Sequence, residues 1–88
     1  MRRRPTPVRV LDAVNEFADW SGNVPYDQLS WRFCVRGRFT ADDLNAVLDE
    51  LEARDFLVRD GPTHHGVHYA LTSRGKAQLQ GQDFRRAA

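Results

Sequence analysis

Lysine and cysteine are almost missing from this chain, which carries one of each, Lys76 and Cys34, in 88 residues. A single cysteine closes no internal disulfide, so a cross-linked scaffold is excluded. Cys34 stands between Phe33 and Val35 and reads as a small buried hydrophobe; the other reading is a reactive or intermolecular thiol. No apolar run approaches the roughly 20 residues that span a bilayer, and no short apolar stretch marks a signal peptide. The expectation is a soluble, cytoplasmic protein with no membrane contact. A Gly-rich phosphate loop, a nucleophile elbow and a His/carboxylate grouping at catalytic spacing are also lacking. Ser30 and Ser73 have no base partner in sequence, so neither enzymatic activity nor a cofactor is expected. Repeats and low-complexity segments do not occur.

What is present is the periodicity of one small α+β domain. Thr6-Pro7 supplies an N-cap and a proline at the first helical position, and Val10, Leu11, Val14, Phe17 and Ala18 recur at helical spacing. This first helix is expected to end near Trp20. Residues 24–26 suit a short edge strand, where Pro25 is tolerated, and 29–35 a second helix burying Leu29 and Phe33. Thr40, with Asp43 three positions on, forms a capping-box pattern. Leu44, Val47, Leu48 and Leu51 follow at i, i+3, i+4 and i+7, one stripe of a third helix. Residues 56–59 are β-prone, 60–66 are rich in turn formers, and 67–71 alternate with period two, so that Val67, Tyr69 and Leu71 share one side of a strand.

The words Leu51-Glu52-Ala53-Arg54-Asp55-Phe56-Leu57-Val58-Arg59 and Tyr69-Ala70-Leu71-Thr72-Ser73-Arg74-Gly75 resemble those of a winged helix-turn-helix domain, of the broad bacterial type that includes the MarR and PadR regulators. The resemblance covers about residues 26–76. It implies three helices, a two-stranded β-hairpin wing and a short C-terminal helix, with the third helix entering a DNA major groove. The family's link between its second and third helices is very short, whereas here residues 34–39 must extend the second helix or lengthen the turn. On this reading residues 1–5 form a flexible basic arm, 6–80 the winged-helix domain and 81–88 a flexible tail.

The formal charge of +1 hides an uneven distribution, +3 over residues 1–38, −5 over 39–60 and +3 over 61–88. The acidic middle contains the helix that the resemblance assigns to the major groove. Opposite its leucine stripe lie Asp42, Ala46, Asp49 and Ala53, flanked by Asn45 and Glu50. Base edges are normally met by Arg, Lys, Gln or Asn, and only Asn45 fits well. Asp42 and Asp43 also have an ordinary role at the positive end of the helix dipole, and Glu50 with Arg54 an ordinary i, i+4 surface pairing.

The candidate DNA contacts are therefore Asn45 and Thr40 at the groove, with Arg32, Arg36 and Arg38 on phosphates. Arg2, Arg3 and Arg4 form an arm for an adjacent groove, and Arg74 and Lys76 flank the wing's return. Against the DNA reading stands a protein-interaction module, in which the acidic third helix binds a basic partner as an accessory or inhibitory subunit. His64, His65 and His68 invite three readings: exposed wing residues, nucleic-acid contacts, or metal ligands. Neighbouring histidines on a strand point to opposite faces, which disfavours a metal. Trp20, Trp31 and Tyr26 read as core or dimer-interface aromatics, with base stacking the other option. A core this small gains from a homodimer, for which residues 76–84, with Leu79 and Phe84 as contacts, are the expected helix.

Overall fold

The computed structural model describes residues 4–87, with side chains as far as Gly81. Thr6 opens α1 (Pro7–Phe17) by accepting from the Arg9 N–H at 3.3 Å, and the helix stops at Ala18, short of the expected Trp20. A short strand, β1 (Asn23–Pro25), runs directly into α2 (Tyr26–Ser30), which continues as one π-helical turn over Trp31–Val35. The second helix thus starts three residues earlier than the expected 29 and ends as expected at 35. Residues 34–39 are taken up by the end of this helix and the turn after it. The wide turn is visible in the Arg36 N–H, which reaches back five residues to the Trp31 carbonyl at 3.0 Å. Gly37 then passes so close to the Phe33 carbonyl, 2.7 Å from where a Cβ would sit, that no side chain fits there.

The reciprocal capping box of Thr40 and Asp43 starts α3 (Ala41–Ala53) as the sequence indicates. It ends in a Schellman arrangement: the Phe56 N–H bonds to the Leu51 carbonyl at 2.9 Å and the Asp55 N–H to Glu52 at 3.0 Å, with Asp55 left-handed at φ 62°. Strands β2 (Leu57–Arg59) and β3 (His68–Leu71) follow, then α4 (Ser73–Ala87), longer than the helix expected over 76–84.

The sheet has three antiparallel strands in the order β1-β3-β2, not the two of a bare hairpin. Val24 faces Tyr69 across one ladder, and Leu57 faces Leu71 across the other. Pro25 lies on an edge strand, where a missing N–H costs no ladder bond. Val10, Leu11 and Val14 of α1, Leu29 and Phe33 of the second helical segment, Leu44, Leu48 and Leu51 of α3, and Tyr69 meet in a single core. Pro5, the last residue of the expected arm, is buried too. Thr72 fastens α4 to this frame: its hydroxyl accepts from the Gly75 N–H at 3.0 Å and donates to the Asp55 carbonyl. A Cβ at Gly75 would overlap the Phe56 carbonyl, so the closing Thr-x-x-Gly word has a steric reason. Among the described residues no helix is long and apolar enough to cross a membrane.

Candidate nucleic-acid interface

Three arginines closely precede α3 in sequence, and Arg32 among them lines a cleft with Arg9, Asp12 and Glu16 of α1. Arg32 and Arg36 occupy successive turns of the second helical segment, and Arg38 follows in the turn into α3; all three are exposed. The Arg36 guanidinium lies 5.4 Å from the centre of the Trp31 ring, and that of Arg32 lies 5.7 Å from the Phe33 ring. Such stacking holds a flexible cation against an aromatic face. Arg38 is left-handed at φ 62°, a conformation costing a residue other than glycine about 1–2 kcal/mol. The expense falls on one of the cations the sequence reading assigns to phosphate.

The exposed face of α3 does not match a base-reading surface. Asn45 Oδ1 accepts from the Tyr26 hydroxyl at 2.8 Å, so its acceptor is already engaged. The Thr40 hydroxyl accepts from the Asp43 N–H at 3.1 Å and so serves the cap. Asp42, Asp49 and Glu50 are exposed, and the expected surface pair is present as Arg54 Nη2 to Glu50 Oε1 at 3.1 Å. With Asp42 and Asp43 in the first turn, the positive end of the helix is already met by carboxylates.

The loop between β2 and β3 folds back over α3. His64 Nε2 lies 2.8 Å from Asp49 Oδ1, and the His64 side chain is only 19% exposed, which corrects the expectation of a solvent-exposed wing residue. His65 packs edge-on to Tyr26 at 5.2 Å between ring centres, and His64 lies 6.2 Å from the same ring. The two rings expected on opposite faces converge on Tyr26, because residues 64 and 65 lie in the loop and not on a strand. His68 pairs elsewhere, its N–H donating to Asp60 Oδ1 at 2.8 Å. That bond first, and the His68 ring second, hold the Asp60 carboxyl below its ordinary value. Among the described residues no group of three or more His, Cys, Asp or Glu side chains is arranged to hold a metal ion.

Arg74 and Lys76 do not join the other arginines. Thr72 ties the start of α4 to Asp55, at the far end of α3, and the 13 residues of α3 span roughly 20 Å at about 1.5 Å per residue. Lys76 instead lines a groove with Asn15 and Ala18 of α1. Arg4 is exposed, while Arg2 and Arg3 lie outside the described residues, as does the Phe84 side chain. Leu79, expected at a dimer contact, is buried in the chain's own core at 6% exposure.

The three aromatics expected in the core or at a dimer interface divide. Tyr26 is core, and burial raises its hydroxyl pKa above the ordinary value. Trp31 is 46% exposed and Trp20 is 98% exposed, so neither belongs to the core. A tryptophan beside glycine and turn formers, as in Trp20-Ser21-Gly22, was the available sign that Trp20 stands on a turn. Comparison with protein-family models, with curated proteins and with solved structures gave no match to this chain.

Proposed function

We propose that the chain is a cytoplasmic winged helix-turn-helix domain that binds duplex DNA as a regulator of transcription, gripping the phosphate backbone through the second helix and the turn after it. The supporting observation is the exposed pair Arg36 and Arg38 in the turn leading to α3, with exposed Arg32 one helical turn before them; Arg36 is steadied on Trp31 and Arg32 on Phe33. Guanidinium groups so placed contact phosphate bidentately, and the affinity they confer depends steeply on salt. On this reading Asn45 reads a base only if the Tyr26 hydroxyl releases it, so the backbone term dominates the bases.

Titration of a fluorescent random-sequence duplex across about 50–200 mM salt tests this. Binding should weaken steeply with salt, and Arg36→Ala and Arg38→Ala should each lower the log–log slope by about 1. Absence of binding at the lowest salt would end the DNA reading.

The acidic exposed face of α3, with Asp42, Asp49 and Glu50, supports a second reading, a winged-helix interaction module for a basic protein partner. Neutralising all three tests whether α3 itself lies on DNA. If α3 lies on DNA, the triple variant Asp42→Asn/Asp49→Asn/Glu50→Gln binds duplex several-fold tighter; if α3 faces away, duplex affinity stays put.

A further inference from the structure

Trp20 is the most exposed large apolar side chain among the described residues, at 98%, yet its backbone is tightly held. Asp19 Oδ1 accepts from the Ser21 N–H at 2.8 Å, the Ser21 hydroxyl at 2.6 Å and the Asn23 N–H at 3.1 Å. The Gly22 N–H closes the turn onto the Asp19 carbonyl at 2.9 Å, and the Asp19 N–H bonds to the Asn23 carbonyl at 3.0 Å. An indole on such a turn is presented to solvent without loop disorder to be lost on contact. Preorganised aromatic anchors of this kind carry much of the energy of protein interfaces.

Beside the turn opens a groove of about 230 Å³, with Ala18 and Leu71 as its apolar lining over the buried Val14, Ser21 and Gly22 as one wall, and Lys76 among its polar groups. Anchor and groove are therefore neighbours on one patch of one chain. That is the layout an isologous two-fold contact requires, since each copy must offer both halves of the contact on the same surface. The charges agree: Asp19 precedes the anchor, and Lys76 belongs to the groove.

We propose that two copies of this chain pair about a two-fold axis, each inserting Trp20 into the other's groove and bringing Asp19 toward the partner's Lys76. Lys76 thereby acquires a role at a copy-to-copy contact, consistent with its separation from Arg36 and Arg38. Neither Arg36 nor Arg38 lines this groove, so the pairing stands whether or not the chain binds DNA. The two indoles contribute about 300–500 Å² of buried surface toward the roughly 1,200–2,000 Å² that a stable interface buries over both partners together. A dimer built on this contact alone is weak.

Sedimentation velocity on the full chain from about 5 to 500 µM reads this directly. The wild type should shift from monomer to dimer across the range. Trp20→Ala, which removes a side chain with no packing in the monomer, should stay monomeric with an unchanged circular dichroism spectrum. Lys76→Glu should raise Kd about tenfold by placing like charges together. In Trp31→Phe, where Trp20 is the sole tryptophan, the fluorescence maximum should move to shorter wavelength as concentration rises. A wild type that stays monomeric throughout overturns the proposal, as does a Trp20→Ala variant that dimerises like the wild type.

Discussion

Arg38 and Asp55 share a left-handed backbone at φ 62°, and the two positions have opposite claims on it. Asp55 serves a helix terminus, where glycine is the usual occupant because it carries no Cβ. Its side chain makes no hydrogen bond or ion pair with another described residue. Replacing it should remove strain of about 1–2 kcal/mol, offset in part by the freer unfolded chain. Asp55→Gly is therefore expected to stabilise the fold by up to about 1 kcal/mol, seen as a higher urea midpoint at constant m-value. Arg38→Gly relieves the same strain but deletes a proposed phosphate contact, so it should stabilise the fold while weakening duplex binding. Equal duplex affinity in both variants would remove Arg38 from the contact set. By contrast, Gly75→Ala pushes a methyl group into the Phe56 carbonyl and should cost about 1–3 kcal/mol.

Among the elements, α3 and the β2–β3 pair were readable because their signals are local. A capping box, a 3.6-residue leucine stripe and a period-two strand each lie within one segment. The fold-back of the loop over α3 was not, because the His64–Asp49 contact joins residues 15 apart and neither type demands the other. The third strand was half readable: Pro25 marked an edge, but nothing in residues 23–25 names β3 as the neighbour. Of the site, the arginines near α3 were legible from charge alone, whereas the engagement of Asn45 by Tyr26 depends on tertiary packing. The loop's base makes its own prediction. The Asp60 carboxyl is held below the ordinary 3.8 by the His68 N–H and then by the His68 ring. A carboxyl lowered in the folded state stabilises the fold above its unfolded pKa and loses that contribution as pH falls through the folded value. Thermal melts should thus hold steady above about pH 5 and decline below about pH 4, and Asp60→Asn should decline less steeply. An identical acid limb in the variant would show that the contact contributes nothing to folding.

At the scale of the whole molecule, 88 residues enclose one core and leave Trp20, Trp31, Val35 and Val58 exposed. A domain of this size buries only about 60–65% of its unfolded surface, so association that covers Trp20 changes its stability visibly. Folding and pairing are then linked by mass action, because only the folded chain presents both the turn and the groove. Above the dimer Kd each tenfold rise in concentration adds RT ln 10 per dimer, or about 0.7 kcal/mol per chain. For a domain of 60–100 residues, 1 kcal/mol moves Tm by about 4–8 °C, so the expected rise is roughly 3–5 °C per decade. Calorimetry at about 50 and 500 µM should show that rise in the wild type and a flat Tm in Trp20→Ala. A concentration-independent Tm in both proteins would count against pairing over this range, and a rise of equal size in both would assign the pairing to another face, Trp31 and Val35 of the second helical segment being the next to test.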